Sequence, residues 1–337
     1  MRTLICLEPG VLKSSTANMP EPKDGNAILR INRIGICGTD IHAFEGTQPY
    51  FSYPRVLGHE LSAEVVSVSV NSGFIAGDVV TVIPYKNCGT CIACRNGKEN
   101  CCVQMQVYGV HADGGMAEFF QVPERLLVHG QGLNHDELAL VEPLAIGAHA
   151  VRRAGLVPRE FVLVNGAGPI GLAVMTYAKI AGCKVIAADV NPYRLEFCRD
   201  KVGTEYLVNP ADGDMETKLQ HITSGDMPTV IFDATGNKQA IESSFSYMAH
   251  GGRYVLVGLQ KGNIEVNHPE FHKREGTLLS SRNATRQDFE QVISSIQQKL
   301  IDPTVFITHR ADFYDTDDNL QLYLTKEKNL IKTLLCL

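Results

Sequence analysis

Residues 161–171 read Phe-Val-Leu-Val-Asn-Gly-Ala-Gly-Pro-Ile-Gly, and the apolar stretch GLAVMTYAKIAG runs on from the last of these glycines. A short β-branched run, a glycine turn and a helical pattern in direct succession predict a strand feeding the N-terminus of a helix. Gly166 permits the tight turn, Gly168 lets the backbone approach a pyrophosphate, and Gly171 lets helix and strand pack closely. The helix start, with Pro169 and Ile170 in its first turn, offers unpaired N–H groups to an anion. The next apolar run, KVIAADV, ends in Asp189, 18 residues after Gly171. A carboxylate there can accept ribose hydroxyls and repels a 2′-phosphate, and no basic residue occurs before Arg194. The stretch therefore predicts a dinucleotide site that takes NAD rather than NADP.

On the C-terminal side the same theme repeats. PYRLEFCRDKV, VIFDAT, AIESSFSYMAH and YVLVGL alternate helix and strand patterns, which predicts a doubly wound parallel sheet, the Rossmann arrangement. Ligands bind at the C-terminal edge of such sheets. Thr235, Gly236, Val257, Gly258, Ser281 and Asn283 follow strand patterns there and join Arg194 as expected cofactor contacts. On the N-terminal side the texture is different. NAILRINRIGIC, VLGHELSAEVVSVSV and DVVTVIPY are short β-branched runs bounded by Gly, Pro, Asn and Asp. At 337 residues the chain exceeds one ordinary core. The expected class is α/β, with a β-rich domain over 1–148 and 287–337 and a nucleotide domain over 149–286.

Composition narrows the function. The chain carries 31 basic and 37 acidic residues, a net charge of −6, which argues against a nucleic-acid surface. The uncharged stretch 161–178 contains Asn165, Pro169 and three glycines, so no membrane span is expected. The opening MRTLICLEPG has too short an apolar core for an export signal, and a cytoplasmic protein is expected. Five of ten cysteines lie between Cys88 and Cys102. In a reducing compartment such a cluster points to metal. Cys88, Cys91, Cys94 and Cys102 can close a tetrahedron of four thiolates, the pattern of a structural zinc site. Cys101 adjoins Cys102, and Cys102 is taken as the fourth ligand.

A second constellation is dispersed: Cys37 in GICGTDIH, His59 and Glu60 in VLGHE, and Glu142 in LVEPLA. With the cysteine lobe, GGMAEF, GAGPIG and FDATG, these motifs run in the order found in the zinc-dependent medium-chain dehydrogenases. The chain resembles that family over its whole length. No cysteine lies between Cys102 and Cys183, and Glu142 occupies the place of a second cysteine ligand. This resembles the sorbitol and threonine dehydrogenase branch, and IHAFEGTQPYFSYPRVLGHE, GVHADGG, PEFHKRE and SSRNAT resemble its sugar-acid members, of the L-galactonate and L-gulonate 5-dehydrogenase kind.

The resemblance implies a GroES-like catalytic domain and two zinc ions. Cys37 and His59 would hold the catalytic one, with Glu60 and Glu142 as alternatives for the third ligand. Neighbouring residues on a strand face opposite ways, so His59 and Glu60 can converge only if the chain bends at Gly58. The resemblance assigns Thr39 to the substrate hydroxyl and His42 to a proton relay. It implies NAD-dependent oxidation of a secondary alcohol of a polyol or sugar acid, at C5 of a hexonate, by a homo-oligomer, tetrameric or dimeric. A carboxylate substrate needs a cation, and Arg282 is the candidate, with His272, Lys273 and Arg274 behind it. L-Threonine 3-dehydrogenase and sorbitol dehydrogenase are the rival activities. A dinucleotide-binding protein without catalysis is the rival of another class.

Overall fold

The computed structural model describes residues 1–49, 51–315 and 329–337. Residues 316–328 of the segment 287–337, assigned above to the first domain, lie outside the described residues. The chain forms two compact units, Met1–Glu142 with Ala284–Leu337, and Pro143–Asn283.

The first unit is built on the strand Asn26–Gly35, whose Leu29, Ile31 and Ile34 are buried. Burying each such side chain contributes about 2 kcal/mol. The strand pairs antiparallel with Glu60–Ser67 on one side and with Lys332–Cys336 on the other. The sheet runs in the order Leu127–His129, Val79–Val82, Glu60–Ser67, Asn26–Gly35, Lys332–Cys336, Ile307–Asp312, with Phe119–Pro123 also paired to Asn26–Gly35. Leu334 and Leu335 are fully buried in it. The strand Lys332–Cys336 thus completes the sheet built on Asn26–Gly35.

The second unit holds six parallel strands in the order Tyr206–Val208, Lys184–Ala188, Phe161–Asn165, Val230–Asp233, Arg253–Leu256, Thr277–Ser280. Val162, Leu163 and Val164 are fully buried, as expected of a strand covered on both faces. The order reverses between Phe161–Asn165 and Val230–Asp233, where such sheets open a crevice for ligands. The α/β class and the doubly wound sheet read from the sequence are those of the folded chain.

Candidate active site

Cys37 caps the helix Gly38–Phe44. Its backbone N–H donates to Asp40 Oδ2 at 2.9 Å, and the N–H of Gly58 donates to Asp40 Oδ1 at 3.2 Å. One fully buried carboxylate therefore ties two sequence-distant loops together. Gly58 has φ +88°, a left-handed value that the bend requires. The strand begins only at Glu60, so His59 sits in the bend rather than on the pleat. That geometry lets neighbouring side chains converge: one ligand atom from each of Cys37, His59 and Glu60 lies within 4.8 Å of the others.

Glu142, in the first turn of the helix Val141–Ala154, is buried too. Tyr85 donates a short hydrogen bond to its Oε1. Among the described residues, its Oε2 and the Nδ1 of His59 are buried without hydrogen-bond partners. Burial pushes the Glu142 carboxyl up to about 7, with the nearby Glu60 adding to the effect. Burial works to lower the His59 pKa, but Asp40, Cys37 and Glu142 outweigh it and hold it well above the ordinary value. Buried anions and an unpartnered Glu142 oxygen around a thiol, an imidazole and carboxylates are a donor set that fits zinc.

In the lobe, the sulfurs of Cys88, Cys91, Cys94 and Cys102 gather within 4.8 Å of one another. Cys91 Sγ lies 3.5 Å from Cys94 Sγ and 3.9 Å from Cys102 Sγ, and none of these cysteines is in a disulfide. Tetrahedral Zn–S bonds would put sulfurs about 3.8 Å apart. The N–H groups of Cys88, Cys91 and Gln104 donate to Cys102, Cys88 and Cys102 sulfurs respectively. Cys102 is buried and Cys101 exposed.

In the second unit, Gly168 caps the helix Pro169–Ile180. A Cβ on Gly171 would lie 1.8 Å from the carbonyl oxygen of Gly166, so no side chain fits there. Asp189 ends its strand with Oδ2 accepting from Ala167 N at 2.7 Å and Oδ1 from Asn191 N at 2.8 Å. Arg194 Nη1 lies 3.9 Å from Asp189 Oδ2. Asp233 fixes the next turn through Thr235 Oγ1 at 2.5 Å and Gly236 N at 3.0 Å. Val257, Gly258, Ser281 and Asn283 follow the ends of the next two strands. The residues expected at the cofactor edge thus share the C-terminal side of one sheet.

Residues 23–132 match the alcohol dehydrogenase GroES-like domain, and residues 169–298 match the zinc-binding dehydrogenase domain. L-Galactonate-5-dehydrogenase of Escherichia coli K12 is 41% identical over 333 residues, 98% of each chain. The chain belongs to the zinc-binding alcohol dehydrogenase family. Another relative, the 2-dehydro-3-deoxy-L-galactonate 5-dehydrogenase of Pseudoalteromonas atlantica, is 32% identical over 297 residues, 87% of this chain and 86% of its own. The crystal structure of the alcohol dehydrogenase rspB from Escherichia coli CFT073, in complex with NADH, superposes with a TM-score of 0.92 at 30% identity, covering 100% of this chain and 99% of that one. Among the described residues of this dehydrogenase, no helix is long and apolar enough to cross a membrane.

The remaining residues singled out in the sequence of this dehydrogenase lie as follows. Thr39 is half-buried on the helix Gly38–Phe44 and His42 is exposed on it. His42 Nδ1 is 3.1 Å from Thr47 Oγ1 and 3.5 Å from Glu45 Oε2. Arg282 is exposed after the edge strand Thr277–Ser280. Lys273 and Arg274 both pair with Glu270, while His272 packs near His268.

Three residues of the site escaped the sequence reading. Asp40 had a signal, since Cys-x-x-Asp before a helix has the spacing of a capping box. Tyr85 and Lys332 had none. They reach Glu142 and Glu60 across 57 and 272 residues of chain.

Proposed function

We propose that this chain is an NAD-dependent zinc oxidoreductase that oxidises the C5 hydroxyl of a hexonate of the L-galactonate or L-gulonate type. The convergence of Cys37, His59 and Glu60 ligand atoms carries the reaction class. Full-length similarity to L-galactonate-5-dehydrogenase carries the substrate class. Cys37 and His59 would hold the catalytic zinc, with Glu60 or Glu142 as the third ligand. Cys88, Cys91, Cys94 and Cys102 would hold a structural one. When bound, zinc supplies the Lewis acidity that makes a substrate hydroxyl acidic at neutral pH, and NAD accepts the hydride.

The chain's own residues bind, orient and move the proton. Thr39 would contact the substrate hydroxyl, taking up its proton as it gives up its own, and His42 would pass the relayed proton to solvent. Histidine suits the task because its charge changes near neutral pH. Thr47 at Nδ1 orients the His42 ring and leaves the other nitrogen for transfer. Asp189, held at its strand end by two backbone N–H groups, accepts the adenosine ribose hydroxyls and disfavours a 2′-phosphate. Gly168 lets the backbone approach the pyrophosphate, while Gly166 makes the turn and Gly171 lets helix and strand pack closely. Arg282 is the cation offered to the substrate carboxylate.

The edge strand Thr277–Ser280 supports a homo-oligomer. Among the described residues it pairs on one side only, with Arg253–Leu256, and it exposes Leu278. Cysteines gathered as metal ligands fit a cytoplasmic, reducing setting. NADH formation with L-galactonate, L-gulonate, sorbitol and L-threonine tests the assignment. The expected result is the highest kcat/KM on a hexonate. Preference for threonine or sorbitol would assign the chain to the rival activities, and no turnover of any alcohol would leave a binding protein.

A further inference from the structure

Lysine is almost never fully buried unless paired, yet the Lys332 side chain is 1% exposed and faces a Glu60 side chain that is 0% exposed. Its ammonium makes three hydrogen bonds, to Glu60 Oε1 at 2.6 Å, Glu60 Oε2 at 2.7 Å and the carbonyl oxygen of Ile36 at 3.0 Å. All three N–H donors are spent, and both oxygens of Glu60 are engaged. The pocket is shaped for this contact. Gly35 is the register partner of both Glu60 and Leu334, on the neighbouring strands. A Cβ on Gly35 would lie 2.0 Å from Glu60 Oε2 and 2.9 Å from Glu60 Cβ. The Glu60 side chain therefore folds across a bare glycine toward the C-terminal strand. It still keeps an oxygen within 4.8 Å of the Cys37 and His59 ligand atoms.

Stability alone is a poor reason for such a pair, because apolar residues of similar volume would pack there without the desolvation cost. We propose that Lys332 is a positioning residue that competes with the catalytic metal for Glu60. It holds that carboxylate back so that a coordination position stays open to substrate. The cation also offsets part of the charge of Asp40, Glu60 and Glu142, all buried around the same cluster. The sharing of one carboxylate between an ammonium and a metal links the last strand of the chain to the reactivity of its first loops. This inference rests on the assignment of Cys37 and His59 as metal ligands.

The test uses full-length enzyme with cobalt(II) exchanged into the Cys37–His59 site and zinc kept in the four-cysteine lobe. Cobalt's visible d–d absorption weakens as its coordination number rises, a signature that a purely structural lysine would not move. In Lys332→Met, Glu60 is freed to ligate. The expected result is a weaker d–d band, release of the metal to a chelator slowed by about tenfold, and a KM raised by about tenfold. Gly35→Ala keeps the lysine but pushes Glu60 out of its reach, and is expected to change the spectrum in the same direction. It serves as the deciding variant if Lys332→Met does not fold. Cobalt bound normally, with wild-type spectrum and release rate in whichever variant folds, overturns the inference. Wild-type enzyme that takes up no cobalt beyond the lobe overturns the metal-centre assignment instead.

Discussion

Asp40 Oδ1 lies 3.7 Å from His59 Nδ1, with both side chains buried. The same carboxylate holds the backbone N–H groups of Cys37 and Gly58. One residue thus positions a thiol and an imidazole that are far apart in sequence, and its charge favours a ring whose Nδ1 carries the proton. A carboxylate beside a metal-binding imidazole fixes its tautomer and raises its basicity. Asp40→Asn is expected to weaken zinc binding by about 10–100-fold. Competition with a chromogenic chelator measures it, and unchanged affinity would remove Asp40 from the metal centre.

The cysteine lobe is built separately from that centre. Arg125 donates to Asn87 Oδ1 at 2.6 Å and to the Asn87 carbonyl oxygen at 3.1 Å, and Asn87 Nδ2 lies 3.7 Å from Cys94 Sγ. The wild type is expected to retain roughly two zinc ions per chain after dialysis, and Cys94→Ser roughly one. The variant should also melt earlier, because metal binding to such a lobe is folding free energy. Two ions retained in Cys94→Ser would contradict the assignment of the lobe.

On the proposed function, Asp189 governs the choice of dinucleotide. In Asp189→Ala the ribose hydroxyls lose a charged acceptor, and NAD is expected to bind about 10–100-fold more weakly. The preference over NADP should narrow, because the repulsion of a 2′-phosphate goes with the carboxylate. Steady-state kinetics with both cofactors measure this. An unchanged KM for NAD would mean that the carboxylate serves only the Ala167 and Asn191 N–H groups.

Asp136 makes the acid stability of the first unit measurable. Arg310 donates to its Oδ2 at 2.7 Å and Arg33 to its Oδ1 at 2.8 Å. The Arg310 bond foremost, with help from Arg33, holds its pKa below the ordinary 3.8. A carboxyl with a depressed folded-state pKa stabilises the fold above its unfolded value and loses that contribution as pH falls through the folded one. Allowing for the partly exposed arginines, Asp136→Asn should cost about 1–2 kcal/mol at neutral pH. It should also flatten the loss of stability below about pH 4. Denaturant unfolding across that range decides it, and parallel curves for both proteins would refute the assignment.

Much of this molecule is legible in local patterns. The run 161–171 carries its own turn geometry, because a Cβ at Gly171 has nowhere to go. The lobe reads from cysteine spacing because its ligands are held within 15 residues of backbone. The Cys37 and His59 motifs gain meaning together, through family order, since a half-buried cysteine or a buried histidine alone is ordinary. What held Glu60 and Glu142 was not legible. Lys332 and Tyr85 look like a strand lysine and a core tyrosine until the sheet sets them opposite those carboxylates.

Periodicity, glycine placement and cysteine spacing therefore determined the doubly wound sheet, the strand-rich unit and the four-cysteine lobe, because each depends on contacts a few residues apart, while the dispersed Cys37, His59 and Glu142 came only from the family resemblance. Only the folded chain decided that His59 and Glu60 converge through the Gly58 bend, and that Glu60 is hydrogen-bonded to the Lys332 ammonium. The reason is physical. The protonation and orientation of a buried charge depend on what lies across the core from it, and chain spacing carries no record of that neighbour.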